Sequence, residues 1–248
     1  MINMATIYAR GMHYKDLNEM IKKLVKINEK EIILKNVQGQ RYIGDGIQGE
    51  YRITIEGTPG NDMAAYMDGP TIIVHGNVQD ATANTMNDGE VIVHGNSGDT
   101  LGYAMRGGEV YIKGSVGYRV GIHMKEYMNK KPVIVIGGKA GAFLGEYMAG
   151  GTIILLGLNA EDPQKMVGSH CGTGMHGGTI YSRLPIDSFK LGKEVMQIPA
   201  DDNDMESVNI YIMKFCSYFG FDYDSVRDRR FWKIYPYNKR PYKNLYAY

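Results

Sequence analysis

The chain has little cysteine, proline or tryptophan: two, eight and one in 248 residues. Two cysteines, Cys171 and Cys216, cannot make a disulfide framework, and they are too few to hold an iron–sulfur cluster. No apolar run reaches the roughly 18 residues of a membrane span. The polar start, MINMATIYARGMHYK, does not read as a secretory signal. Neither charge dominates. With 28 basic against 27 acidic residues, there is no overall footprint for nucleic acid or lipid. The expectation is a soluble, cytoplasmic protein.

Glycine is what the chain has in excess, 32 residues, or roughly 13% against an ordinary 7%. The excess is periodic. Gly57, Gly76, Gly95, Gly114 and Gly138 are spaced 19, 19, 19 and 24 apart. Each is followed ten residues later by a methionine: Met67, Met86, Met105, Met124 and Met148. A fixed period near 20 residues marks one supersecondary unit copied along an axis. Units 57–75, 76–94 and 95–113 are the most regular. Unit 114–137 carries extra residues around 126–132, and 138–156 is regular again. A degenerate unit at 165–183 follows an insertion at 157–164. A leading unit at 38–56 puts Gln48 in the methionine column. The seven units become less regular toward both ends, as capping turns do.

Each unit holds a glycine corner, a small-residue segment, a second turn and a β-branched run. The second turns, Asp68-Gly69, Asp88-Gly89, Gly107-Gly108 and Gly150-Gly151, supply the positive φ of tight turns. The runs at 53–55, 72–74, 91–93, 110–112, 133–135 and 153–155 read as short strands. An amphipathic helix does not fit in 19 residues that already hold two turns. Strands at one position of successive units stack in parallel. The fold class is therefore mainly β: a single-stranded right-handed parallel β-helix of about seven turns with flanking N- and C-terminal helices. Coils about 4.8 Å apart give a rod on the order of 30 Å long. No apolar position recurs every six residues, which argues against a left-handed hexapeptide helix. The methionines should form an internal ladder, with the glycines at a shared corner.

Alternation along the strands turns the middle residue of each run outward. These are Thr54, Ile73, Ile92, Tyr111, Ile134, Ile154 and Tyr181, an apolar stripe that should not be left wet. The chain's own ends are expected to cover it; a partner surface is the alternative. Leu17, Met20, Ile21, Leu24 and Ile27 mark one face of an amphipathic helix over 14–28. Val208, Ile212 and Phe215 mark another over 204–219. The tail 225–248 has seven basic residues and one acidic, with Phe231, Trp232 and five tyrosines. It is expected to dock on the protein through ring packing and cation–π contacts rather than on nucleic acid. The organisation is 1–35, N-terminal helix and leading strand; 36–184, β-helix; 185–248, C-terminal helix and basic, aromatic tail.

The candidate chemical groups are few. Cys171 lies between His170 and His176, but tetrahedral zinc takes four ligands and only three candidates are present. His75 and His94 share a column, and the next coil places Lys113 there, which would repel a cation. Asp62, Asp80 and Asp99 recur in the small-residue segment but not all in one register, so the clustered acids of a lyase-type calcium site are missing. Ser97 lacks the G-x-S-x-G elbow and the helix that should follow it. The glycines cap coils rather than open a helix, so they do not form a nucleotide fingerprint. No catalytic, cofactor-binding or metal-binding residue is assigned.

The run NVQGQRYIG from Asn36 to Gly44, followed by glycine-punctuated coils, resembles the C-terminal GXGXG (β-helix) domain of the glutamate synthase large subunit. Gly11-Met12, Leu17-Asn18 and Arg240-Pro241-Tyr242 resemble its stand-alone archaeal and bacterial form. The resemblance implies a right-handed β-helix that carries no cofactor of its own. FMN, an iron–sulfur cluster and the amidotransferase nucleophile would belong to partner subunits, and residue 2 here is Ile2 rather than cysteine. The implied role is an assembly subunit in transfer of glutamine amide nitrogen to 2-oxoglutarate, with self-association also open. The same β-helix occurs as a scaffold in formylmethanofuran dehydrogenase, which leaves a second complex open. A stand-alone esterase or hydrolase is the third reading.

Overall fold

The computed structural model describes residues 4–160 and 162–238. Ile2 and the tail residues Lys239, Arg240, Pro241, Tyr242 and Lys243 lie outside the described residues. Eleven strands form one sheet. They are β1 (Met4–Tyr8), β2 (Glu31–Gln38), β3 (Arg52–Thr58), β4 (Asp68–His75), β5 (Asp88–Val93) and β6 (Glu109–Ile112), followed by β7 (Val133–Ile136), β8 (Ala149–Leu155), β9 (Gly177–Ser182), β10 (Val195–Pro199) and β11 (Trp232–Pro236). From β1 to β9 every neighbouring pair is parallel and in sequence order. That is a β-solenoid. The stack from β3 to β9 makes about six turns, and the coil between β2 and β3 adds one more of the same build.

The interior is an apolar ladder. Met67, Met86, Met105, Met124, Met148 and Met175 stack with no exposed surface. In the leading coil the occupant is Ile47, not Gln48. Gln48 pairs with Asp68, one place further along. Hydrogen bonds between successive coils set this register through the backbone, whatever the side chain.

The corner glycines are needed for a reason other than φ. A Cβ on Gly76 would sit 2.3 Å from the Gly57 carbonyl oxygen, and one on Gly95 2.5 Å from that of Gly76. Coils approach too closely at this corner for any side chain. The adjoining positions hold a polar ladder. Asn77 Oδ1 accepts from Asn96 N–H and Asn96 Oδ1 from Ser115 N–H, each at 2.8 Å. At the next corner Asp80 accepts from Asp99 N–H and Asp99 from Tyr118 N–H, also at 2.8 Å. Asp80 and Asp99 share a register, as caps for the backbone amides of the coil above, and Asp62 stands outside it.

One outward residue differs from expectation. Tyr111 pairs with Val135, and Val135 with Ile154. The outer stripe is therefore Thr54, Ile73, Ile92, Tyr111, Val135, Ile154 and Tyr181, while Ile134 lies in the inner core. The lengthened fourth unit shifts its strand by one residue, which moves every side chain to the other face.

The two ends close differently. Helix α1 (Tyr14–Lys26) stands where a further coil would stand, between β1 and β2, and buries Leu17 and Ile21 on the solenoid core. Met20 and Ile27, expected on that buried face, are exposed. At the far end β11 pairs antiparallel with β9, and β10 with β11. This hairpin-like cap had no counterpart in the repeat. Helix α2 (Asp202–Phe219) begins with a capping box between Asp201 and Asp204 and ends at Gly220, whose φ is 72°. Val208, Ile212, Phe215 and Phe219 of α2 pack on Ile92, Tyr111, Val135, Ile154 and Tyr181. The chain itself covers most of the outer stripe.

Candidate functional site

The third side of the solenoid is the least ordinary part of the backbone. Every coil carries three residues of positive φ at positions i, i+2 and i+4. They run from Tyr42, Gly44, Gly46 through Phe143, Gly145, Tyr147 to His170, Gly172, Gly174. Two overlapping turns generate the second and third of them. In the 143–147 coil, Glu146 N–H donates to Phe143 O and Met148 N–H to Gly145 O, each at 3.2 Å. Positive φ at the third position of a turn is the type II arrangement, which favours glycine. Glycine does fill the pattern in the coils of Gly44 and Gly172, giving a G-x-G text. Among the described residues, fourteen of the 17 non-glycine residues with positive φ belong to these columns; Asn28, Asn36 and Met128 are the others. Between the first two columns the side chains of Ile43, Met63, Thr82, Leu101, Val120, Leu144 and Cys171 point into the core.

Alternating backbone of this sort can make an anion nest. Here the amides are taken up by neighbouring coils. Phe143 N–H donates to Ser169 O at 2.9 Å, Gly145 N–H to Val120 O at 2.8 Å and Tyr147 N–H to Thr173 O at 2.9 Å. The outer surface of this side is an aromatic and basic row. His123 stacks on Tyr147 at 5.4 Å and meets the edge of Tyr103 at 6.0 Å. His170 stacks on Phe143 at 4.8 Å, and Arg119 lies over the Phe143 ring at 5.2 Å. Arg119 also pairs with Glu146 at 3.0 Å.

The segment around Cys171 is divided by this geometry. Cys171 is fully buried, and burial pushes its thiol up to about 12. A thiol held protonated in an apolar column is a poor nucleophile and a poor metal ligand. His170 points outward onto Phe143, and His176 Nδ1 lies 3.2 Å from Gly174 O. Cys216 is also buried, in α2. Two buried cysteines in separate clusters do not fit an iron–sulfur cluster. Among the described residues no group of three or more His, Cys, Asp or Glu side chains is arranged to hold a metal ion. His75 and His94 are 4.8 Å apart, and His94 meets the ring of Phe219 edge-on at 5.2 Å. Burial, then His75 and Lys113, lower the His94 pKa. Ser97 is buried, and its contact is with the Gly98 carbonyl at 3.5 Å.

A second feature is a shallow groove of about 390 Å³ beside the strand starts, lined by Asp88, Glu90, Glu109, Lys130 and Lys214. Lys131 lines it as well, and the other charges are paired. Lys214 lies 2.7 Å from Glu109 and 3.6 Å from Glu90, and Tyr218 OH donates to Glu90 at 2.8 Å. Tyr111 OH donates to Glu109, and burial, then that carboxylate, raise its pKa. Nearby, burial opposes ionisation of Asp204, but Lys233 and Tyr181 outweigh it and hold the carboxyl below its usual range. These links fasten α2 and the 225–238 part of the tail to the solenoid. Phe231 and Ile234 are fully buried, as the docking of that tail requires. No helix among the described residues is long and apolar enough to cross a membrane.

Stacked coils with a thrice-repeated left-handed position, a methionine interior and glycine corners define a β-solenoid of the G-x-G-x-G class. The chain belongs to the GXGXG motif family, whose model matches residues 13–237, the family of the glutamate synthase C-terminal domain. It is similar to an uncharacterized protein of Methanocaldococcus jannaschii, 52% identical over 249 residues, which cover 97% of this chain and 95% of that one.

Proposed function

We propose that this chain is the non-catalytic assembly subunit of a glutamate-synthase-type complex. It would hold an amidotransferase subunit and an FMN- and iron–sulfur-bearing subunit so that ammonia from glutamine reaches 2-oxoglutarate without loss to water. The observation that carries this reading is the use of the polar groups. Corner Asn and Asp cap coils, acids of the groove pair with lysines, and both cysteines are buried. A rigid rod with its reactive groups taken up by stacking, in a family associated with glutamate synthase, suits positioning better than turnover.

The test is co-purification of the native chain from its own cell. A flavin- and iron–sulfur-containing subunit and an amidotransferase are expected with it, while the separated chain shows no flavin absorbance and hydrolyses no glutamine. Esterase activity lost on Ser97→Ala or Ser169→Ala would overturn the reading.

A further inference from the structure

The fourth coil differs from the others by an insertion, and the insertion is built as a projection. Tyr127 N–H donates to Lys130 O at 3.2 Å and Lys130 N–H to Tyr127 O at 3.0 Å, which closes a two-residue hairpin turn. Its base is pinned. Lys130 Nζ lies 2.8 Å from Asp68 and 3.1 Å from Asp88, residues of two earlier coils. Glu126 Oε1 accepts from Gly151 N–H at 3.2 Å, in the coil that follows. Arg106 lies over the Tyr127 ring at 5.9 Å.

The tip is unlike the base. Met128 is 83% exposed and Tyr127 47%. Met128 also has φ 54°. It is the sole described residue other than asparagine or glycine to combine positive φ with a place outside the three ladder columns. No stacking of coils imposes that conformation, and glycine would adopt it without strain. An unbranched apolar side chain is thus held in a disfavoured backbone state with most of its surface in water. The charges point the same way. The nearby acids Asp68, Asp88 and Glu126 are engaged in holding the base. Lys125 and Lys131, exposed on either side of the tip, make no ion pair with another described residue.

We propose that the 125–131 hairpin is a docking knob for a protein subunit that offers an apolar socket rimmed by carboxylates. Met128 and Tyr127 would fill the socket, and Lys125 and Lys131 would meet the rim. Met and Tyr are among the groups that anchor such interfaces, and rim charges steer the encounter and set its salt dependence. The inference rests on the assembly role and adds where the partner binds and what its surface must contain.

The experiment is a binding titration of the full chain against its native amidotransferase and flavin–iron–sulfur subunits, each purified. Three chains are compared: wild type, Met128→Gly, and the Lys125→Glu/Lys131→Glu double variant. Met128→Gly is expected to weaken binding of one subunit at least ten-fold while the melting temperature stays within a few degrees, since glycine suits the turn. The double variant is expected to weaken the same binding and to remove most of its salt dependence. Wild-type binding with unchanged affinity in both variants overturns the knob and leaves the assembly role standing. Failure of the wild type to bind either subunit overturns both. A self-associated wild type that Met128→Gly converts to monomers would make a second copy the occupant, and would also overturn the proposal.

Discussion

Replacing Phe215 with alanine is expected to lower the unfolding free energy by about 3–5 kcal/mol. The ring has no exposed surface and sits between Phe219 at 4.8 Å and Phe221 at 5.6 Å. It also fills a notch in the solenoid. A Cβ on Gly137 would lie 2.6 Å from the Phe215 ring, so a glycine is what admits it. Removing the ring leaves a cavity over Tyr111, Val135 and Ile154 that the rigid sheet below cannot close. The denaturation midpoint in urea should fall, and a dye that binds apolar surface should respond before the sheet melts. Ile210→Ala, on the exposed side of the same helix, should change stability by no more than about 0.5 kcal/mol. Equal effects at the two positions would mean that α2 does not cover the stripe.

Met105→Ala should cost about 2–5 kcal/mol, since it empties the middle of the internal ladder between Met86 and Met124. Met105→Leu keeps most of the volume and should cost less than about 1.5 kcal/mol. Because each coil contacts its neighbours, the loss should spread to both adjacent coils and remain small at the far ends. Hydrogen exchange resolved along the chain would show that gradient. A uniform rise in exchange would indicate that the rod melts as one unit.

The period, the methionine interior, the strands from β3 to β9 and both long helices are legible in the sequence because each rests on repeated or strongly periodic apolar residues. The features that are not legible have physical causes. The run Val133–Ile136 is β-branched at every position and buried at every position, so alternation carries no information on its register. Counting residues puts Gln48 in the methionine column, whereas backbone pairing puts Ile47 there. β1, β10 and β11 lie outside the repeat, and short strands without a periodic partner leave little signal. The left-handed columns leave the least trace. Tyr66, Thr85 and Arg119 have no preference for positive φ; the hydrogen bonds of the stacked coils hold them there. The same holds at the candidate sites. Cys171 beside two histidines looks like a cluster in the sequence, but successive residues of this backbone point to opposite sides. The insertion is visible as a break in period, but the pinning of Lys130 by Asp68 and Asp88 joins residues of separate coils.

The most direct measurement of the assembly role is glutamate formation from 2-oxoglutarate, with a two-electron donor supplied, by the separately purified amidotransferase and flavin–iron–sulfur subunits, with and without this chain. Without it, free ammonia should support turnover and glutamine should support little. With it, the glutamine-dependent rate should rise to match the ammonia-dependent one. Equal glutamine-dependent rates in the presence and absence of the chain would contradict the account.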